Sequence, residues 1–170
     1  MNYALYMSEA IAEARLGLSQ GERAQGAVAV LDEAMIARAH DQVVTTGDPT
    51  AHAVMVALRE AARRLGRDAL CGVTVFAAIE PCAMCVGALL DCDAEALVYA
   101  VPDPRAGAAG SAVQLARSDG LPRRLKVVSG ILQDDAAEVV GELPAPPRAN
   151  GNGTPVSGKA PFTPPMLITA

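Results

Sequence analysis

An α/β fold with helices on both faces of a central sheet is predicted for this chain by three observations. Segments with β-strand patterning alternate along it with segments of helical patterning. Its 170 residues and 51% hydrophobic composition suffice for a single core of ordinary size. Its aromatic share is 3%, with no Trp, so the core is built from Ala, Val, Leu, Ile and Met, and such small side chains imply close approach of helices and strands.

Leu5, Ile11, Ala14 and Leu18, with Glu and Arg between them, predict an amphipathic helix over 3–18, ended by Gly21. GAVAVLD (26–32) and AMIARAH (34–40) read as two strands joined at Asp32 and Glu33. Asp48 is a good N-cap and Pro49 suits a first helical position, so the next helix is expected over about 49–65, stopping at Gly66. The β-branched run GVTVFAAI (72–79) predicts a strand, and CAMCVGALLD, with Pro81 at its start, a helix. EALVYAV (95–101) follows as a strand. A Gly- and Pro-rich loop then leads to a short helical piece near 111–117, a strand at LKVVSG (125–130) and a helix over about 131–142. The division is therefore a folded unit over 1–142 and an extended or disordered tail over 143–170, where Pro, Gly, Asn and Ser concentrate without a period.

Charge narrows the function classes. With 14 basic and 19 acidic residues the net charge is -5, which offers no general attraction to nucleic acid. The densest basic group, Arg59, Arg63, Arg64 and Arg67, reads as a solvated helix face. The N-terminal stretch carries Glu9 and Glu13 and has neither a basic leader nor an unbroken apolar run, so no signal peptide or membrane span is expected and a cytoplasmic protein is. Four cysteines in such a chain point to thiols or metal ligands before disulfides. Cys71 and Cys92 have no spacing that calls for a metal and read as small core hydrophobes.

Cys82 and Cys85 are different. Three residues apart at a helix start, they share one face, and the unpaired N–H groups and helix dipole there favour thiolate. A CxxC pair by itself is open to a redox couple, a structural zinc or coincidence. His52, whose own alternative is a satisfied, partly buried histidine, lies just after a capping turn at another helix start, where its imidazole can meet the two sulfurs. Two Cys and one His with a vacant fourth position form a catalytic type of zinc site, and the placement agrees with the H-x-E and P-C-x-x-C pattern of zinc deaminases.

On these residues the chain resembles the cytidine deaminase superfamily, and within it the bacterial tRNA adenosine deaminases and their guanine or nucleobase deaminase relatives. GAV (26–28), DPTAHA (48–53), EPCAMC (80–85), RAGAAGS (105–111) and GIL (130–132) occur in family order, and the resemblance covers about residues 3–142. It implies a three-layer sandwich with a mixed sheet, Zn2+ on His52, Cys82 and Cys85, contacts to a base from the backbone at Ala53 and Pro81, and a homodimer that shares its substrate pocket.

The chain also departs from the family. Val54 stands where the deaminase pattern has the glutamate that carries protons between water, ring and leaving amine. Losing a general acid and base typically costs about 10²- to 10⁴-fold. Ala24 and Gln25 replace a usual Pro-Val pair, and Asp41 replaces an Asn that hydrogen bonds the base. The basic C-terminal helix of the tRNA enzymes is missing, so tRNA is disfavoured against a small-molecule substrate.

The leading expectation is zinc-dependent hydrolytic deamination of a nucleobase, nucleoside or related small amine through an altered proton shuttle. Asp41 and Glu80 are the carboxylates to consider, against structural roles for both. The alternatives are a catalytically silent partner subunit, a Glu-to-Val variant of an ordinary deaminase, or a binding module that recruits partners through its Pro-rich tail.

Overall fold

The computed structural model describes residues 1–66 and 70–141; the tail expected over 143–170 and Arg67 lie outside them. Helix α1 (Tyr3–Ser19) starts with the Asn2 side chain accepting the Leu5 N–H at 3.2 Å, which satisfies one of the orphan donors of a helix start. Strands β1 (Gly26–Leu31) and β2 (Ala34–His40) form a hairpin. Its two turn residues, Asp32 and Glu33, both have positive φ, the conformation that matches the twist of the flanking strands. A one-turn helix α2 (Val43–Thr46), not foreseen in the sequence, precedes α3 (Ala53–Leu65). Then come β3 (Thr74–Ile79), α4 (Ala83–Asp91), β4 (Ala96–Val101), β5 (Lys126–Ser129) and α5 (Gln133–Val140).

The strand order is β2-β1-β3-β4-β5, with β1 antiparallel to β2 and β3, and β3, β4 and β5 mutually parallel. This is the mixed sheet that the resemblance implies. Alternate residues of each central strand serve opposite layers. On one face Ala27, Ala29, Val75, Ala77 and Leu97 pack with α3 and α4; on the other Val28, Val30, Phe76 and Val98 pack with α1 and α5. Rings of Tyr3 and Tyr6 meet Phe76 there, so three of the few aromatics share one layer. Small residues permit the closeness expected from composition: a Cβ on Gly26 would lie 2.0 Å from the Ala10 carbonyl oxygen of α1. Among the described residues no helix is long and apolar enough to cross a membrane.

Three expectations are corrected. α3 begins at Ala53, with His52 as its N-cap, and not at Pro49. Asp48 caps only its own turn, accepting from the Thr50 N–H at 2.8 Å and hydroxyl at 2.7 Å. The stretch near 111–117 is not helical, because the N–H groups of Ala109 and Ser111 are drawn to the Glu80 carboxylate and the chain instead forms bridges at Cys82 with Gly107 and Ala109 with Gln114. Cys71 is exposed and so not a core residue, whereas Cys92 is half-buried against the α3/α4 layer.

Candidate metal centre

Two helix starts on one face of the sheet carry the site. His52 caps α3 and Cys82 caps α4, both in extended backbone, and Cys85 lies in the first turn of α4. Neither side chain makes a capping bond to a backbone N–H of its own helix, which leaves the imidazole and the thiol free to face each other. His52 Nδ1 lies 3.5 Å from Cys82 Sγ and 3.7 Å from Cys85 Sγ, and the sulfurs are 3.9 Å apart. Around a tetrahedral zinc with bonds of about 2.3 Å to sulfur and 2.0 Å to nitrogen, ligand atoms sit roughly 3.5–3.8 Å from one another. The three donors therefore outline one face of a zinc tetrahedron and fit the ion. Among the described residues they are the one group of this kind, and no carboxylate closes the fourth position.

The thiols are electrostatically coupled. Their mutual hydrogen bond first, then His52, holds the Cys82 thiol down to about 3, despite partial burial. The same contact and burial push Cys85 up. An ion that takes both as thiolates removes this asymmetry.

The centre forms part of the wall of a cavity of about 440 Å³, whose lining includes Val54, Ala77, Pro81, Asp103 and Arg105. Val54 is buried at 5% exposure, so an apolar side chain faces the place where the deaminase pattern puts its proton carrier. Ala24 and Gln25 also line it. Arg105 grips Asp103 at 3.1 Å, a pair that sequence spacing did not single out.

The two candidate carboxylates are both fully engaged. Glu80 is buried; its Oε1 accepts the N–H groups of Ala109 at 2.9 Å and Ser111 at 3.1 Å, and its Oε2 that of Asp103 at 3.1 Å. Gly107 fits against it so tightly that a Cβ would approach Glu80 Cδ to 2.4 Å. The Pro81 carbonyl accepts from the Ala108 N–H at 2.9 Å, which ties the 103–111 loop to the metal-bearing turn. Asp41 is fully buried and does not line the cavity: Oδ1 accepts the Ala53 N–H at 2.8 Å, and Oδ2 pairs with Arg23 Nε at 2.8 Å and Nη2 at 2.7 Å. Burial pushes the Asp41 carboxyl up, while Ala53 and Arg23 pull it down. Arg23, half-exposed at the cavity, had no signal in the sequence because its partner lies 18 residues away.

The basic helix face is self-compensated. Arg63 and Arg64 pair with Glu60, and Arg59 reaches Thr50 and Asp48.

Comparison with known proteins agrees with this centre. Residues 1–101 match the family described as the cytidine and deoxycytidylate deaminase zinc-binding region. The chain is 38% identical over 131 residues to the tRNA-specific adenosine deaminase of Bacillus subtilis, which covers 77% of this chain and 81% of the relative. A solved structure from work on A-to-I editing by tRNA:A34 deaminases superposes with a TM-score of 0.76 at 34% identity, covering 79% of this chain and 97% of that one. The guanine deaminase of Bacillus subtilis is similar at a TM-score of 0.57 and 37% identity, over 60% of this chain and 66% of that one.

Proposed function

The chain belongs to the cytidine and deoxycytidylate deaminase family, and from that premise we propose that it hydrolytically deaminates a purine-type base, with adenine carried by a tRNA as the first substrate to test. The observation that carries this reading is the convergence of His52 Nδ1, Cys82 Sγ and Cys85 Sγ on one side of a cavity with room for a base. Zinc held there supplies a Lewis acid for the attacking water. Ala53, Pro81 and the Arg105–Asp103 pair shape the wall on which the base would rest.

The expectation against tRNA rested on the missing basic C-terminal helix and on the acidic net charge. The relatives named as tRNA deaminases weigh the other way. We include a homodimer in the proposal, supported by the shallow apolar hollow formed by Gly87 and Leu90 of α4 with Leu115, Leu121 and Pro122. A cytoplasmic setting suits the four free cysteines.

Val54 cannot hold a proton, and Glu80 and Asp41 already accept two or three hydrogen bonds each, so the altered shuttle is solvent moving through the cavity. The reaction is accordingly slow. A second reading, a silent partner subunit, is favoured by the same engagement of every nearby carboxylate. Ammonia release from an anticodon stem-loop, adenosine, guanine and cytidine, measured for the chain and for Val54→Glu, separates the two. Slow turnover that rises about 10²- to 10⁴-fold in Val54→Glu supports the deaminase reading. No turnover by the unaltered chain on any of them sinks it and leaves the partner reading.

A further inference from the structure

The geometry points to buried Asp41, paired with half-exposed Arg23, as a positioning device that sets the α3 start, and with it His52, for metal binding. An α-helix leaves its first N–H groups without partners, and the usual remedy is the side chain of the N-cap residue. Here the N-cap is His52, whose imidazole is turned to the sulfurs and makes no capping bond. The deficit at Ala53 is met from another element: Asp41, just past the end of β2, accepts its N–H at 2.8 Å in a buried contact.

That N–H belongs to the peptide plane leaving His52. Fixing it fixes the backbone at His52, held at φ -68° and ψ 149°, and so the direction from which the imidazole approaches Cys82 and Cys85. The surrounding chain is pinned as well. The Asp41 N–H donates to the Gln25 carbonyl at 3.1 Å, and the Gln42 N–H to that of Ala51 at 2.9 Å, one residue before the ligand. Glu22, next to Arg23, accepts the N–H groups of Val44 at 2.9 Å and Thr45 at 2.6 Å at the start of α2. Adjacent residues of the α1–β1 connection thus hold the segment that precedes the metal-bearing helix.

Arg23 makes the arrangement sustainable. A carboxylate with 0% exposure and no counter-charge is costly, and two guanidinium contacts at 2.7 and 2.8 Å compensate it. Asp41 is committed to the scaffold behind the metal, with each oxygen engaged and no face on the cavity. The role needs the zinc centre and is indifferent to which base, if any, is deaminated.

The test reads metal and not turnover. Asp41→Ala removes the acceptor and strands Arg23. The double variant Asp41→Asn with Arg23→Gln restores an acceptor for Ala53 and a neutral amide partner. Zinc affinity is measured on the full chain by chelator competition, with the absorption bands of the cobalt-substituted protein as the report of ligand geometry and circular dichroism as the check on folding. Outer residues that orient ligands are typically worth about 10- to 100-fold in metal affinity, which is the loss expected for Asp41→Ala, with shifted cobalt bands. The double variant is expected within about fivefold of the unaltered chain, with its bands restored. A folded Asp41→Ala within about fivefold of the unaltered chain overturns the proposal. So does a double variant weakened beyond that limit, and this second comparison decides alone if Asp41→Ala does not fold.

Discussion

At the residue scale, chemistry at the centre depends on three atoms and one substitution. His52→Ala or Cys85→Ser leaves two donors, and the purified variant is expected to hold far less than one zinc per chain by elemental analysis. An ion present at about a hundredfold over its Kd stabilises by about 2.7 kcal/mol, so these variants, or the unaltered chain with a chelator, should lose about that much stability and melt at a lower temperature. Unchanged melting in chelator would show that no ion contributes. That these three donors would lie together was legible in the sequence because local rules place them: two cysteines three apart on a helix share a face, and a histidine stands at another helix start. Arg23 and the engagement of Asp41 were not legible, since a pair 18 residues apart is set by how loops meet and leaves no spacing to read.

At the element scale, the sheet and four of the five helices among the described residues were foreseen, although the apolar face of α1 was misread, since Leu5 and Leu18 are exposed and Tyr6, Met7 and Ala10 are buried instead. The two other misread segments share one cause. Side chains distant in sequence capture backbone N–H groups there. Asp41 supplies what Asp48 was expected to give α3, and Glu80 reaches 29 and 31 residues ahead to Ala109 and Ser111, unmaking the helical turn foreseen near 111–117. The Glu80 arrangement has no spare volume. Gly107→Ala drives a methyl to 2.4 Å from Glu80 Cδ and is expected to destabilise by about 1–3 kcal/mol, as overpacking of a tight interior does. Urea denaturation measures this, and a loss below about half a kcal/mol, the ordinary range for an uncritical site, would mean that the loop yields easily.

At the scale of the whole molecule, composition predicted the style of the core correctly and gave no sound ground for choosing the partner. Small aliphatic side chains do fill both layers, because burial averages over many residues. Net charge averages in the same way and says nothing of where charges sit, so it is a weak argument for or against tRNA. The division proposed at residue 142 leads to a direct expectation. A chain ending at Gly141 should keep its melting temperature within about 2 °C, its metal content and the sedimentation mass of the unaltered chain, since a shift that small corresponds to no more than about 1 kcal/mol. A lower mass would place the tail in a contact between copies of the chain.

The ligands come from positions 30 and 33 apart in the chain, and from helices on the same side of the sheet. An ion bridging them acts as a clasp across that span, shortening the excursions open to an unravelled chain in the manner of any closed loop. Stripping it would deprive the protein of a tether together with a reagent, and the half of the molecule built on α1 and α5 would feel the loss only second-hand.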